Sequence, residues 1–353
     1  MNQLSNCTIF LGLIANLVIS SSASVSHPDL KAIGQVFGTY TDDTLAEAYK
    51  KFAMTLGETE IDLNATLNPY FIGAFVLTID GDGGIEMEEA YASMIHGLPL
   101  NLTLKIGKYR LNFGKLNQIH PHAYPFIRTP RVLAPEIAQL LPGVESFNDI
   151  AAEISTLIPV FGNWIIVPSA DFLEGRSFHP DEAAIRHGWL AHVSNTFSTG
   201  PALFDIGASV TQGINNVETN NKTTIFGFDA KTEIIVTSAY TLTIGSELLY
   251  KNANITDTAG QISSNRRYGI YAYVNNHFHS RFNAGLLYER YENPGNHSST
   301  DRSVKSFTGF EIFEESTVIR ASYEYFFSGD NLETNTFEVQ LLFSMGKHKE
   351  HQH

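Results

Sequence analysis

Cysteine and charged residues are scarce in this chain, and both shortages narrow the class of fold. Among 353 residues Cys7 is the only cysteine, and 17% of residues are charged. We expect Cys7 to be removed with an N-terminal signal, so the mature chain would contain no cysteine. Small secreted domains usually depend on disulfides, whereas a large closed sheet does not. The abundance of Gly, Tyr and Phe also favours strands and tight turns over helical bundles.

Basic residues and long apolar runs are scarce as well. The 23 Lys and Arg residues are outnumbered by 37 Asp and Glu residues, which gives a formal net charge of −14. This balance argues against a nucleic-acid partner, because nucleic acid requires a basic surface. After the N-terminal segment, no run approaches the roughly eighteen consecutive apolar residues of a transmembrane helix. The mature chain therefore either avoids membranes or crosses one as strands.

Residues 1–26 have the pattern of a secretory signal. The apolar run Cys7–Ser20 is about fourteen residues long, too short to span a bilayer as a helix, and the small residues after it offer cleavage after Ala23 or Ser26. The residues before it include no Lys or Arg, which leaves a buried N-terminal helix as the alternative. We predict a signal peptide at residues 1–26 and one barrel domain at residues 27–353, ending in a His-rich tail at residues 346–353.

The C-terminal third shows the two-residue period of β-strands with one apolar face. In "TFEVQLLFSM" one face carries Phe337, Val339, Leu341, Phe343 and Met345, and the other carries polar residues. The same alternation occurs in "TVIRASYEYFF", "RFNAGLLYERY", "LTIGSELLY" and "LFDIGASVT". A soluble sandwich would give this alternation too. However, these strands run to about ten residues and carry aromatic residues near their ends, as membrane-spanning strands do.

The connections between strands alternate between short and long. Seven short turns and eight longer polar loops would join sixteen strands, with both ends of the sheet on the short-turn side. The predicted turns are Leu67–Tyr70, His96–Leu100, Phe161–Asn163, Ser198–Pro201, Ala239–Thr241, His277–Arg281 and Glu314–Ser316. This plan is typical of an outer-membrane barrel.

We therefore predict an all-β fold, a transmembrane antiparallel β-barrel of sixteen strands, with about fourteen as the alternative. An unpaired sheet edge is not stable in the hydrocarbon core of a membrane, because its backbone N–H and C=O groups would have no partners. The first strand, Lys31–Thr41, must therefore pair with the last, Thr336–Met345. The strands near Ile85–Ile95 and Asn148–Leu157 have the weakest pattern, because neither face is purely apolar.

The longest connection, at residues 114–147, is the predicted third external loop. It contains Pro121, Pro125, Pro130 and Pro135, a density that no regular strand or helix tolerates. We expect it to fold inward and to form a constriction. Five cations on the loop and the strand before it would then favour small anions: Lys105, Arg110, Lys115, Arg128 and Arg131. In the alternative interpretation, the arginines only anchor the loop to carboxylates such as Glu136.

The strand before this loop changes its pattern partway. If Leu102, Leu104, Leu111 and Phe113 face lipid, Lys105 and Arg110 point into the lumen. The alternation slips between Ile106 and Tyr109, which predicts a β-bulge near Gly107 or Lys108.

The stretch "EMEEAYASM", the following "LTLKIGKYRLNFGKLNQIHPHAYPF" and "HPDLKAIGQVFGTY" together resemble a group of porin-like Gram-negative outer-membrane proteins, related broadly to the phosphate-selective porins. The close match covers about residues 27–135. The resemblance implies a location in the bacterial outer membrane. It also implies the lipid bilayer, outer-membrane lipids and the barrel assembly machinery as partners, and a homo-trimer. Phosphate specificity is not implied, because this chain has few lumenal cations.

Histidines form two groups that could bind a metal. His120 and His122 flank Pro121, and His348, His351 and His353 crowd the tail. A structural zinc site requires four protein ligands and a catalytic one three, so we favour a role as ordinary polar residues for both groups. No cofactor is expected. No Gly-x-Ser-x-Gly motif or ordered Ser/His/acid spacing is present, so we do not expect an enzyme.

These patterns predict a porin, a passive diffusion channel for small hydrophilic solutes or ions. Polar, glycine-rich inward faces suit a wet lumen, and sixteen strands leave room for one. Two alternatives remain open: a selective metal- or anion-uptake channel or receptor, and a structural or adhesive barrel that acts through its external loops.

Overall fold

The computed structural model describes residues 28–43, 52–180, 184–257, 259–279, 281–296, 298–313, 316–330 and 332–346. The predicted signal peptide and the three histidines of the tail lie outside these ranges. No helix in the described part of the chain is long and apolar enough to span a membrane.

The described residues form eighteen strand segments in one antiparallel sheet. They are β1 (Asp29–Asp43), β2 (Phe52–Leu56), β3 (Thr59–Asn68), β4 (Phe71–Ile79), β5 (Ile85–Met94), β6 (Leu102–Arg110), β7 (Asn148–Thr156), β8 (Ile158–Pro159), β9 (Ile165–Leu173), β10 (Gly188–Thr199), β11 (Ala202–Asn216), β12 (Asn221–Thr237), β13 (Tyr240–Thr256), β14 (Ile262–Phe278), β15 (Phe282–Glu292), β16 (Thr300–Phe313), β17 (Thr317–Phe327) and β18 (Glu333–Gly346). Single turns of 3₁₀ helix occur at Pro99–Asn101, Pro121–Ala123 and Arg176–Phe178.

Two pairs of segments each act as one interrupted strand, so the eighteen segments make a sixteen-stranded barrel. β2 and β3 both pair with β1, and β7 and β8 both pair with β9. The barrel closes where β1 pairs with β18, from Lys31 opposite Gly346 to Asp43 opposite Thr334. The prediction of sixteen strands and of their closure is confirmed, and the alternative of fourteen is wrong.

The alternation along each strand separates an outer from an inner face, as predicted. On β18, Phe337, Val339 and Leu341 are exposed on the outer face, whereas Glu338 and Gln340 are buried inside. The two strands with the weakest pattern are also present, as β5 and β7. β12, β13 and β14 each run to 17 residues, longer than the strands of about ten residues that the pattern predicts.

The short turns lie at one end of the barrel, named here the turn end, and the longer connections lie at the other, the loop end. Five of the seven predicted turns join strands where the sequence places them. The other two, His277–Arg281 and Glu314–Ser316, include residues outside the described ranges.

The prediction for β6 is wrong in two respects. Leu111 and Phe113 do not face lipid but lie inside the barrel, 0% and 1% exposed. β6 keeps an unbroken register with β5 and β7, and the bulge lies instead on β5, where Val76 pairs with Glu89 and Leu77 with Met87. The apolar side chains beyond Gly107 thus continue the inner face, because the partner they pack against is the chain itself rather than lipid.

The inner loop and the lumen

Residues 111–147, the connection between β6 and β7, lie inside the barrel and are named here the inner loop. Its apolar side chains pack against inward-facing side chains of β9 to β16. The buried loop residues of this cluster are Leu111, Phe113, Leu116, Tyr124, Phe126, Val132, Leu133, Ala138, Leu140, Leu141 and Phe147, and the wall residues include Leu173, Leu190, Ile225, Leu249, Tyr271, Tyr273, Leu287, Tyr291 and Phe307. The barrel therefore contains a dry core on one side of its lumen.

Phe126 shows how closely the loop fits the wall. Its ring is fully buried, and its centroid lies 5.5 Å from those of both Tyr273 and Phe307 in edge-on contacts. Burial of one such side chain stabilises a fold by about 1.5–3 kcal/mol, and edge-on aromatic contacts add to this. The docking of the loop is thus driven mainly by apolar contact.

A buried carboxylate on β13 holds the start of the loop. Glu247 accepts the backbone N–H of Lys115 at 2.7 Å and of Leu116 at 2.9 Å, and the hydroxyl of Tyr271 at 2.6 Å. Gly114 has a φ of 66°, and a Cβ there would collide with this carboxylate. Only glycine satisfies both conditions, because it favours positive φ and has no side chain.

Wall side chains also satisfy the carbonyl groups of the loop. Arg267 donates to the carbonyls of Ala138 at 3.0 Å and of Gln139 at 2.7 Å. Similar bonds run from Arg320 to the carbonyl of His122, from Lys305 to that of Ile127 and from Asn283 to that of Pro125. A buried loop without such partners would carry the cost of unpaired backbone groups.

Two of the five predicted constriction cations bind carboxylates on β17 and β18. The guanidinium of Arg128 lies 2.8 Å from Glu338 and over the ring of Phe37, and that of Arg131 lies 2.7 Å from Glu324 and over the ring of Phe326.

The other three cations line two different cavities: Lys115 lines the larger one, and Lys105 and Arg110 line the smaller one. Lys115 pairs with Asp205 at 2.8 Å on β11, and Arg110 is buried in an ion pair with Glu88 on β5. Lys105 lies between the rings of Tyr91 and Tyr109, about 4 Å from each centroid. The structure therefore does not bring the five cations together as one patch.

Sequence reasoning did not identify these wall carboxylates as partners of the loop. The predicted anchor, Glu136, lies in the loop itself, whereas the partners found here lie on β5, β11, β17 and β18. A signal was present: Glu324 and Glu338 both occupy the polar face of an otherwise clearly alternating strand.

His120 and His122 lie together against a group of acidic side chains. Their rings stack with centroids 5.8 Å apart, and each Nδ1 contacts Glu60, at 3.1 Å from His120 and 3.0 Å from His122. His120 also lies 3.5 Å from Glu88 and 3.7 Å from Glu89. Across the described residues, no group of three or more His, Cys, Asp or Glu side chains has the arrangement of a metal site.

The surroundings of His120 predict a pH-dependent contribution to loop docking. Burial lowers its pKa, but the contacts with Glu60, Glu88 and Glu89 outweigh burial and raise the pKa well above its usual range. The contribution is therefore complete below the ordinary pKa of histidine, about 6.5, and is lost as the pH rises through the raised value. We expect the wild-type barrel to lose thermal stability on alkaline titration, and the His120→Gln variant to lose less.

The temperature of the gel-mobility shift that accompanies barrel unfolding measures this stability at each pH. The His122→Gln variant is the matched control, because it removes the neighbouring ring and leaves His120 in place. Parallel pH profiles for wild type and His120→Gln would show that the histidine does not contribute.

Space remains in the lumen between the inner loop and the turn end. A cavity of about 810 Å³ is lined there by polar and charged side chains of both signs, among them Asp205, Lys231, Glu233, Glu311 and Arg320. A second cavity, of about 240 Å³, lies beside His120 and His122.

No family model matches this chain. An uncharacterized protein of Aquifex aeolicus (strain VF5) is 26% identical over 269 residues, which cover 69% of this chain and 55% of that protein. The chain thus spans about half the length of the curated relative it matches.

Solved outer-membrane proteins have the same fold. The anion-selective porin from Comamonas acidovorans matches with a TM-score of 0.61 and 12% identity, over 92% of this chain and 100% of the porin. The outer-membrane channel DcaP of Acinetobacter baumannii matches with a TM-score of 0.58 and 10% identity, over 93% of this chain and 99% of DcaP. The trimer form of OmpT, an outer-membrane protein of Vibrio cholerae, matches with a TM-score of 0.57 and 11% identity, over 91% of this chain and 100% of OmpT. The chain therefore has the sixteen-stranded fold of outer-membrane porins.

Proposed function

We propose that this protein is a porin of a Gram-negative outer membrane and that small hydrophilic solutes or ions diffuse passively through it. The observation that carries the proposal is a closed sixteen-stranded barrel with an apolar outer face and charged, water-accessible space inside. A closed barrel satisfies every backbone group within hydrocarbon, and a polar lumen provides a path for water. Residues 1–26 serve in this proposal as the signal for export.

The inner loop narrows the channel in this proposal. It is fixed to the wall on several sides, by Glu247 of β13, Arg267 of β14, Glu324 of β17 and Glu338 of β18. Contacts spread around the wall favour a fixed constriction over a mobile lid. The charge on Arg128, Arg131 and Lys115 is offset by adjacent carboxylates, so we propose a weakly selective passage.

The assembly that we propose is a trimer inserted by the barrel assembly machinery. The trimer form of the similar OmpT supports this assignment by analogy of fold.

Planar-bilayer recording tests the channel. The purified, refolded full-length protein is expected to insert with steady conductance steps of uniform size, and liposomes that contain it are expected to swell in small sugars more than in large ones. The same preparation after heat denaturation is the control. A folded barrel that inserts but gives neither conductance nor swelling would overturn the proposal and leave the structural or adhesive function in its place.

A further inference from the structure

Three arginines lie on the outer face of neighbouring strands near the loop end. Arg290 of β15 pairs directly with Arg302 of β16, and their side chains share the outer face with Leu286, Tyr288 and Val304. Arg266 lies on the outer face of β14, four residues nearer the loop end than Ile270, the residue that pairs with Arg290. These three residues are named here the outer arginine cluster.

In the part of the chain that the structure describes, the outer arginine cluster has no carboxylate partner. Like charges directly opposite on adjacent strands destabilise a sheet. Among the described residues, no ion pair joins any of the three to an acidic group. Arg290 donates only a long bond, 3.4 Å from Nη2 to the hydroxyl of Tyr268, and its Nε is buried without a partner.

Another outward cation of the same barrel does have an acidic partner. Lys108, which also lies on the outer face near the loop end, forms an ion pair with Glu86 at 2.8 Å. The acidic residues nearest to the cluster in the strand pairing are Glu292, at the end of β15, and Glu333, which pairs with Phe327 beyond Arg302 and contacts Tyr325. The cluster therefore presents an excess of positive charge on the outer face, three arginines against Glu292 on the same face of β15.

The height of the cluster matches the boundary of the apolar band. On β14 the outer face runs from Phe278 at the turn end to Tyr268, and Arg266 is the next outward residue. The ten steps along β14 from Phe278 to Tyr268 correspond to a rise of about 26 Å along the barrel axis, at about 3.4 Å per residue and a tilt of about 40°. This is close to the roughly 25 Å of an outer-membrane apolar band. On β15, Arg290 likewise follows Tyr288. Arg266 thus lies directly beyond the band, and Arg290 and Arg302, which share the register of Ile270, lie near its loop-end edge.

We propose that the outer arginine cluster binds the phosphate groups of a phosphorylated glycolipid, the lipid A of the leaflet at the loop end. Arginine donates two parallel N–H bonds to a phosphate, and a phosphate between Arg290 and Arg302 neutralises their repulsion. Tyr268, which bonds Arg290 and lies between it and Arg266, lines the boundary with the acyl chains. Arg266 reaches a second phosphate of the same headgroup.

This inference rests on the proposed outer-membrane location but not on conduction, so the bilayer experiment and the lipid experiment fail independently. The full-length protein, folded in detergent, is titrated with diphosphoryl lipid A and analysed by native mass spectrometry. The triple variant Arg266→Gln, Arg290→Gln, Arg302→Gln is expected to bind it at least about tenfold more weakly, because three charge-assisted contacts are lost.

A matched control changes two outward cations near the loop end that are outside the cluster, Lys108→Gln and Lys222→Gln, and is expected to bind as wild type does. The Arg290→Lys, Arg302→Lys variant keeps the charge and loses the paired bonds, so its affinity should lie between those of wild type and the triple variant. Equal binding by wild type and the triple variant would overturn the proposal. Equal binding of wild type to a lipid A analogue without phosphates, or to phosphatidylglycerol, would also overturn it.

Discussion

Replacement of Glu247 by leucine is expected to release the start of the inner loop from the barrel wall. The carboxylate of Glu247 accepts two backbone N–H groups of the loop, at Lys115 and Leu116, and the hydroxyl of Tyr271. Leucine has a similar volume but no acceptor, so the buried N–H of Leu116 and the partly buried N–H of Lys115 lose their partner at about 1–3 kcal/mol each. Loop docking should weaken by about 2–6 kcal/mol in total, and single-channel conductance should become larger and noisier.

Limited proteolysis measures the release independently of conductance. In the wild-type protein the chain at Arg128 and Arg131 is held inside the barrel, whereas a released loop exposes both arginines to trypsin. The Glu247→Gln variant is the matched control, because its amide oxygen still accepts the N–H bonds. If Glu247→Leu resists trypsin and conducts like wild type, the carboxylate does not hold the loop.

Replacement of both Arg128 and Arg131 by alanine is expected to shift the channel towards cations. Each arginine offsets a wall carboxylate, Glu338 and Glu324 respectively. Their removal leaves those carboxylates facing the lumen, although Lys305, at 3.7 Å, still partly offsets Glu324. We expect the ratio of potassium to chloride permeability to rise by a factor of about two to five, since rings and pairs of fixed charge govern selectivity at a narrow passage.

The reversal potential in a salt gradient measures this ratio. The opposite pair of changes, Glu324→Gln with Glu338→Gln, removes the carboxylates and leaves the arginines, so it should shift the channel towards anions. An unchanged reversal potential in both double variants would show that these four side chains lie outside the conducting path. It would also remove the predicted role of Arg128 and Arg131 at a constriction.

The sequence was sufficient to predict the barrel because the relevant signal is local. Phe337, Val339 and Leu341 alternate with Glu338 and Gln340 within a few residues. A membrane-spanning strand requires this alternation, because one face contacts lipid and the other faces the lumen. The number of strands followed from the alternation of short and long connections. Interruptions such as the one between β7 and β8 leave this count unchanged, because both segments pair with the same neighbour.

The interior of the barrel was harder to predict, because an inward residue can meet either water or the inner loop. The glycines on inward faces favoured a wet lumen in the sequence. Two of them, Gly227 and Gly269, instead lie against Phe113, and against Leu140 and Val132. The same ambiguity explains Leu111 and Phe113, which follow β6. Their alternation matches that of a lipid-facing strand, but they belong to the dry core within the barrel.

The sequence by itself therefore determined which residues face outward on regularly alternating strands such as β18, and that the sheet closes. The two-residue period acts within each strand, and an unpaired sheet edge is not stable in hydrocarbon. Only the tertiary structure decided the partners of Arg131 and of Arg128, which lie 193 and 210 residues further along the chain. It alone also brought Arg290 opposite Arg302. Such contacts depend on strand register and on the path of one loop, which bring together residues that are far apart in the chain.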